Sequence, residues 1–253
     1  MRSDSTIHST CILILNIISL PTYLSCLYTQ APYGRYTQKG WGPTLPSWIS
    51  WLLMESPSVI ATLFIYSLGR NAASPQSLAL LSVFLLHYLH RTFIYPLRLR
   101  NATSVAPFPV SIALMAFSFN LFNAYVQTRW ISNYAHFGNW FWWRFAVGVL
   151  VFGVGMVINV RSDRVLVGLK VQGKGYQIPV GGFFEFVSCA NYFGEITEWF
   201  GWAIITFSWA GFGFFVYTCA NLVPRARATH QWYLNKFAED YPKHRKAVIP
   251  FLY

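Results

Sequence analysis

Long apolar segments follow one another along almost the whole chain, and each approaches the length that a helix needs to cross a bilayer. A helix needs about 20 apolar residues to span the hydrocarbon core. Within lipid the backbone must satisfy its own hydrogen bonds, so only helices and closed barrels can cross. The apolar segments cover residues 7–28, 48–68, 77–97, 109–131, 144–160 and 183–223. This pattern predicts a polytopic helical membrane protein.

The last apolar segment is about twice as long as one span requires, so it predicts two short helices. Its glycines offer places for a break, and they are Gly194, Gly201, Gly211 and Gly213. The first segment exceeds the core of a signal peptide and lacks a clean cleavage site, which indicates a retained span. With 55% hydrophobic and only 11% charged residues, the chain has little surface suited to water. We therefore predict an all-α protein of seven transmembrane helices in a single domain, residues 1–253.

The positions of Lys and Arg orient these predicted helices, because short cytosolic segments are enriched in both. With the C-terminus in the cytosol, the cytosolic segments hold Arg35, Lys39, Arg98, Arg100, Arg161, Arg164, Lys170, Lys174, Arg225, Arg227, Lys236, Lys243, Arg245 and Lys246. The opposite side has little beyond Arg2 and Arg70, and the aromatic residues 140–143 fit an interfacial belt there. A lumenal N-terminus follows. This topology explains most of the net charge of +11, which therefore does not indicate nucleic acid.

The four cysteines indicate neither a metal site nor a disulfide framework. They are Cys11, Cys26, Cys189 and Cys219, and they lie in apolar segments without the spacing of paired metal ligands. Free cysteines in such surroundings usually behave as small apolar groups. We predict four core thiols and no bound metal.

Three polar residues interrupt the last apolar segment at positions that share one helical face. Asn191, Glu195 and Glu198 stand at i, i+4 and i+7, a spacing that aligns side chains along a helix. Carboxylates are costly at membrane depth unless they face a polar interior. This face therefore predicts a polar site inside the helix bundle.

A second group of polar residues lies in the third apolar segment. Tyr88, Arg91 and Tyr95 are spaced i, i+3 and i+7, which predicts a shared face, and His87 shares a face with Arg91. Pro96 follows directly and is expected to end the helix. Tyr88 and Arg91 lie further inside the span than Tyr95, Arg98 and Arg100 and are the better candidates for function.

Two further segments place acids and amides in apolar surroundings. Glu55 is the only carboxylate of the second segment, so it must stay protonated or pair with a hydrogen-bond donor. The fifth segment leads into Asn159-Val-Arg-Ser-Asp163, which places three more polar groups on one face. Together with residues 87–91, these groups predict a membrane protein with chemistry inside it.

Several sequence blocks, in this order along the chain, resemble one enzyme family, the steroid 5α-reductases. They are Met54-Glu55-Ser-Pro57, residues 87–96, Asn159 to Asp163, residues 178–182, Asn191-Tyr-Phe-Gly-Glu195-Ile-Thr-Glu198-Trp and residues 241–251. The resemblance covers nearly the whole chain. Residues 30–35, 40–43 and 139–144 are most similar to the plant members, the enzymes of brassinosteroid synthesis.

The resemblance implies a seven-helix enzyme of the endoplasmic reticulum membrane that uses NADPH to saturate the Δ4 double bond of a 3-oxo steroid. Hydride addition at C5 requires a donor that stabilises the developing enolate at the C3 oxygen. A tyrosine hydroxyl stays protonated at neutral pH and can serve. We assign Tyr88 as that donor, with Glu55 as a second donor or as the group that orients it. The resemblance implies the same pair.

The sequence contains no Rossmann fingerprint for the cofactor. Gly153-Val-Gly155 lacks the third glycine, and it lies in a predicted span, where glycines are more often helix-packing positions. Phosphate contacts must then come from side chains. The cofactor contacts carried over by resemblance are Arg91, Tyr95, Asn159, Asp163, Lys170, Asn191, Glu195, Glu198, Arg225, His230 and Tyr233, mostly in the C-terminal half, with Trp51 and Tyr33 on the steroid side. The expected partners are NADPH, the steroid and membrane lipid, and the chain is expected to act as a monomer.

Two other classes share some of these features. Another membrane enzyme, such as a lipid enone or polyprenol reductase or an isoprenylcysteine methyltransferase, would also combine a lipid-facing cavity with a cytosolic cofactor. A methyltransferase would leave Tyr88 and Glu55 without an evident task. A sterol transporter would have no chemistry and should ignore NADPH, whereas a reductase should be stabilised by it in proportion to RT ln(1 + [L]/Kd).

Overall fold

Helices make up most of this computed structural model, which describes residues 2–102 and 105–253. In chain order they are α1 (Arg2–Tyr28), α2 (Ser47–Ser67), α3 (Pro75–Leu89), α4 (Tyr95–Arg100), α5 (Val110–Arg129), α6 (Phe141–Val171), α7 (Ala190–Thr206) and α8 (Trp209–Phe237). One π turn, His90–Ile94, joins α3 to α4, and another, Trp130–Tyr134, extends α5. The only strands in the described residues, β1 (Thr44–Leu45) and β2 (Phe108–Pro109), form an antiparallel pair.

The all-α prediction is confirmed. If α3, the π turn and α4 are counted as one continuous helix, the described residues contain seven long helices. Five of these are long and apolar enough to cross a membrane: 3–28, 47–67, 75–100, 110–134 and 141–171. The remaining two are α7, which contains Asn191, Glu195 and Glu198, and α8. The number of transmembrane helices and the orientation of the bundle stay predictions.

The last apolar segment does form two helices, but the predicted break at a glycine is wrong. The chain turns at Phe207, whose backbone is left-handed with φ 45°, and Ser208 caps α8 by accepting a hydrogen bond from the Gly211 amide at 3.0 Å. All four glycines lie inside helices. The second helix is also far from short, because it continues for 29 residues.

Glycines in this region instead bring α6 and α7 into backbone contact. A Cβ added at Gly155 would lie 2.3 Å from the Glu198 amide nitrogen, and one at Gly194 would lie 2.4 Å from the Asn159 amide nitrogen. Gly201 makes an equally close approach to Phe152. Small residues allow membrane helices to pack this tightly. The prediction that Gly153 and Gly155 are packing positions is therefore confirmed for Gly155 and wrong for Gly153, where an added Cβ would meet nothing within 4 Å.

Gly155→Ala is expected to destabilise the protein, whereas Gly153→Ala is not. The methyl group at Gly155 would force two backbones apart, and overpacking of this kind costs about 1–3 kcal/mol. A Cβ at Gly153 meets nothing within 4 Å, so alanine there gains helix propensity only. Thermal unfolding of the two variants in detergent measures the difference. Equal melting temperatures would contradict the packing role of Gly155.

The fifth predicted helix is longer than expected, because α6 continues to Val171 rather than ending near residue 160. No proline interrupts residues 161–171, and the first left-handed glycine is Gly173 at φ 68°. Arg161, Arg164 and Lys170 therefore lie on a helix and not in a loop. These three basic residues therefore lie in the C-terminal third of α6.

The prediction that Pro96 ends the third helix is also wrong. The π turn His90–Ile94 precedes it, and Pro96 lies in the first turn of α4, where its missing N–H is not needed. The π turn also separates two residues that were predicted to share a face. Tyr88 packs in the central apolar cluster with Phe84, whereas Tyr95 packs in another cluster with Leu99.

Candidate active site

The polar face of α7 meets charged partners from α3 and α6, as its spacing predicts. Glu198 is fully buried and its carboxylate lies 2.8 Å from the Nδ1 of His87. Asn191 donates a hydrogen bond to Asp163 at 3.1 Å. Glu195 lies between these two and faces Arg91 at 3.5 Å. Three helices thus enclose one polar network inside an otherwise apolar bundle.

Arg91 is the centre of this network. Its guanidinium donates to Asp163 at 2.8 Å and contacts Glu195, so two acids of different helices share one cation. Its planar group also lies over the rings of Trp51 at 4.5 Å and Tyr95 at 4.8 Å. Only 8% of Arg91 is exposed. A buried charge needs such partners, because an unpaired one is strongly destabilising.

Asn159 connects the α6 side of the network to α7. Its amide donates to the Asn191 carbonyl oxygen at 3.0 Å and contacts Glu195 at 3.5 Å. The close approach at Gly194 and Gly155 places these groups together, because it fixes α7 against this part of α6. The arrangement offers amide and carboxylate groups of the kind that bind hydroxyls and carboxamides.

Tyr88 and Glu55 lie next to this network. The Tyr88 ring is held by Phe84 at 4.7 Å and Trp199 at 5.7 Å, and its hydroxyl lies near Ser58, Asn123 and Glu55. The hydroxyl of Ser58 and the amide nitrogen of Asn123 are buried, and neither makes a hydrogen bond of 3.5 Å or less within the described chain. Buried polar atoms normally have partners. Their lack of one marks a place where a polar ligand atom fits.

Asn120 of α5 holds Glu55 in position. Its amide nitrogen donates to the Glu55 carboxylate at 3.1 Å and to the Met54 carbonyl oxygen at 2.7 Å. This confirms the expectation that Glu55 pairs with a donor. No hydrogen bond joins Glu55 to the Tyr88 hydroxyl within the residues described, so the two groups are oriented independently.

A second compartment collects three cations near the cytosolic ends predicted for the helices. Arg225 of α8 donates to the Tyr192 hydroxyl at 3.1 Å and lies 4.0 Å over the Tyr33 ring. Arg35 lies 4.6 Å over the Tyr233 ring and donates to its hydroxyl at 3.2 Å. Lys170, at the end of α6, is within electrostatic range of Asp163 and, less strongly, of Arg35.

None of these three cations forms an ion pair within the described residues. One nitrogen of Arg35, Nη1, is buried without any hydrogen-bond partner there. Burial raises the pKa of the Tyr36 and Tyr176 hydroxyls beside Arg35, so both stay neutral and add no negative charge. We call Arg35, Lys170 and Arg225 the cationic compartment; it is suited to an anion such as a phosphate.

The remaining predicted site residues border this compartment. His230 contacts the Ser188 hydroxyl through Nδ1 at 2.6 Å, and the same hydroxyl contacts the Tyr241 hydroxyl at 2.6 Å. Tyr233 stacks on Tyr241 with ring centroids 5.3 Å apart. Tyr33 packs with Trp51 in one apolar cluster, which links the cationic compartment to Arg91 and Tyr95.

In the sequence Arg35 stands out only as one of the basic residues of a predicted cytosolic segment. The structure brings it into the compartment through a 3-10 turn, Gly34–Tyr36, that begins at a left-handed glycine with φ 65°. The aromatic residues on both sides of it, Tyr33 and Tyr36, were a usable signal, because arginine binds aromatic rings by cation–π contacts. Its partners Trp232 and Tyr233 lie almost 200 residues away, and spacing alone could not have found them.

Comparison with known proteins agrees with the resemblance that the sequence showed. The family model described as 3-oxo-5-alpha-steroid 4-dehydrogenase matches residues 106–253. A steroid 5-alpha-reductase of Gossypium hirsutum is 59% identical over 100% of both chains, and one of Arabidopsis thaliana is 54% identical over 99% of this chain and 98% of its own. The 3-oxo-5-alpha-steroid 4-dehydrogenase 1 of Bos taurus is 41% identical over 91% of each. This chain therefore belongs to the steroid 5-alpha-reductase family of oxidoreductases, with plant enzymes among its close relatives.

Proposed function

We propose that this protein reduces the Δ4 double bond of a 3-oxo steroid to the 5α product, with NADPH as reductant, in plant brassinosteroid synthesis. The observation that carries the proposal is the pair Tyr88 and Glu55, which stands beside unpartnered buried polar atoms and one helical turn from Arg91. Family membership and the 59% identity to a plant steroid 5-alpha-reductase support the substrate class.

The reaction needs stabilisation of negative charge at the C3 oxygen of the steroid. When hydride adds to C5, the electron pair of the C4–C5 double bond moves toward that oxygen, and the resulting enolate takes a proton at C4. Tyr88 donates a hydrogen bond to the oxygen, and Glu55 in its acid form donates a second. Fixed donors in a site without water stabilise such a charge most effectively. Asn120 and the rings around Tyr88 supply this fixation.

The second-donor role of Glu55 is preferred over an orienting role. No hydrogen bond connects its carboxyl group to the Tyr88 hydroxyl in the described chain, and Asn120 supports it from the other side. Both groups can therefore reach one oxygen from separate helices, α2 and α3. This arrangement resembles an oxyanion hole, in which two donors share the developing charge.

A nicotinamide cofactor fits the residues of the network and of the cationic compartment, and it supplies the hydride when bound. We propose that Asn159, Asp163, Asn191 and Glu195 hold its ribose hydroxyls and carboxamide. The phosphates would be bound by Arg35, Lys170 and Arg225, none of which forms an ion pair within the described residues. Three cations suit a ligand with more phosphate charge than a pyrophosphate alone, and this supports NADPH over NADH.

Arg225→Ala is expected to raise the KM for NADPH by about tenfold or more, since hydrogen bonds to charged groups contribute about 1.5–3 kcal/mol. The matched control is Arg227→Ala, which removes the same charge from an exposed position on the same helix. Initial rates at varied NADPH, together with direct cofactor titration, give the result. The cofactor assignment fails if both variants bind NADPH like the unaltered protein.

Turnover of the purified protein in lipid tests the proposed function directly. The reaction contains NADPH and either a C28 phytosterol 4-en-3-one or testosterone, without oxygen. A product heavier by two hydrogens, with 5α configuration, supports the proposal, and the ratio of the two rates places the enzyme in plant hormone synthesis or in broader steroid metabolism. NADPH binding without product would point to another lipid enone as substrate. The absence of both product and NADPH binding would favour a transporter.

We also propose that the protein acts as a monomer in the endoplasmic reticulum membrane, within one domain that spans the whole chain. The lipophilic substrate and the five apolar helices support a site that is reached from the bilayer. Both halves of the chain supply the proposed site, because Arg35 and Tyr88 come from the first half and Arg225 from the second. Microscopy of a tagged protein and mass measurement in detergent test location and oligomeric state.

A further inference from the structure

A long groove on the outer face of α6 lies away from the proposed active site. It has a volume of about 1160 Å³ and lies between α6 and the segment of residues 180–186, which we call the strap. Asn159 and Asp163 face α7, whereas Leu150, Val154 and Val157 are exposed on the other side of the helix. The volume exceeds the range of about 300–1,000 Å³ that small-molecule sites occupy.

The groove is preformed and almost entirely apolar. Phe184 of the strap is buried with 1% exposure and forms part of the lining. The strap is fixed at both ends, because Arg245 donates to the carbonyl oxygen of Pro179, just before it, at 2.9 Å and the Lys246 amide donates to the Phe186 carbonyl oxygen at 2.9 Å. Gly153 leaves open space in the wall, where an added Cβ would meet nothing within 4 Å. Such a surface suits a hydrocarbon chain.

Arg161 is the one charged residue that lines the groove. Its side chain is exposed and has no hydrogen-bond or ion-pair partner in the described chain. It lies 20 residues beyond Phe141, where α6 begins, which corresponds to about 30 Å of helix and to the thickness of the hydrocarbon core. Trp140 and Trp143 lie at the opposite end, exposed as an interfacial belt would be. Arg161 is therefore at the depth of lipid phosphates.

We propose that this groove binds an anionic glycerophospholipid, with its phosphate on Arg161 and one acyl chain along α6. From Arg161 the groove runs about 18 Å along the helix to Val149, which is close to the depth of one leaflet, and in the other direction it continues to Val165. The predicted orientation places Arg161 in the cytosolic leaflet, where anionic lipids attract basic residues. A neutral sterol would fill the apolar part but would leave the cation unmatched.

Native mass spectrometry of the purified full chain in detergent tests the proposal, with phosphatidylserine and phosphatidylcholine of identical acyl chains and a neutral sterol as probes. We expect about fivefold tighter retention of phosphatidylserine than of phosphatidylcholine, as one arginine near the surface provides about 1 kcal/mol. Arg161→Gln should abolish this preference and Arg161→Lys should retain it. Gly153→Phe should weaken retention of both phospholipids by filling the groove.

Arg164→Gln is the matched control, because Arg164 is exposed one turn further along α6 and does not line the groove. It should leave the lipid preference unchanged. The proposal is overturned if the two phospholipids bind equally to the unaltered protein, if Arg164→Gln and Arg161→Gln have the same effect, or if the sterol is retained in preference to both. Elution of each variant as a single species in size-exclusion chromatography confirms that it is folded.

Discussion

Tyr88→Phe is expected to lower kcat for the 3-oxo-Δ4 steroid by about 100- to 1,000-fold, the usual effect of removing one donor from a developing oxyanion. The substitution deletes only the hydroxyl. The ring keeps its contacts with Phe84 and Trp199, so the fold should be unaffected. NADPH affinity should also stay unchanged, because the cationic compartment lies on other helices. Single-turnover rates and cofactor titration separate these effects.

Two further variants serve as a control and as a comparison for Tyr88→Phe. Tyr125→Phe removes a hydroxyl that bonds Asp4 at the other end of the bundle, and it should keep near-normal kcat. Glu55→Gln should also lose most turnover and retain NADPH binding, because it changes the second proposed donor. Near-normal kcat in Tyr88→Phe would show that another group polarises the carbonyl.

Arg91→Met is expected to lower the free energy of unfolding by about 3–5 kcal/mol, because it leaves the buried Asp163 and the partly buried Glu195 without their shared cation. Asp163 has 3% exposure and cannot be solvated in place. Methionine has a length similar to that of the aliphatic part of arginine, so lost packing contributes little. Thermal unfolding in detergent should show a melting temperature at least about 6 °C lower, at 2 °C or more per kcal/mol.

The cause of this loss can be isolated with two further variants. Arg129→Met breaks the ion pair with Asp4, whose 2.7 Å contact is partly open to solvent, and should cost about 1 kcal/mol or less. Adding Asp163→Asn to Arg91→Met removes one of the stranded charges and should recover part of the stability. If the double variant is no more stable than Arg91→Met, unpaired charge is not the cause.

Spacing within one helix was predictable from the sequence, because it depends only on the period of the helix. Asn191, Glu195 and Glu198 do form one polar face, and Gly155 does pack against a neighbour. Their partners were not predictable. His87 and Glu198 are 111 positions apart, and which acid pairs with which base depends on how α3 and α7 are placed in the bundle.

The errors have a common origin in local rules that tertiary packing overrides. Glycine in a long apolar segment suggests a helix break, yet Gly194 and Gly201 make close contacts, because membrane helices tolerate glycine where backbones meet. Hydropathy places the end of the fifth helix near residue 160, although nothing in residues 161–171 breaks a helix. Topology alone gives Arg35 no role beyond its charge, since its aromatic partners come from the opposite end of the chain.

The π turn at His90–Ile94 is equivalent to one extra residue in the third span. Its i→i+5 bonding displaces all that follows by about one residue, or about 100° of rotation around the axis. Tyr88, before the π turn, packs in the central apolar cluster, whereas Tyr95, after it, faces Trp51 in another cluster. A single continuous helix can thus present Tyr88 and Tyr95 in different directions. The angle between the proposed donor to the steroid and the proposed cofactor contact is therefore set by the number of residues between them rather than by any one side chain.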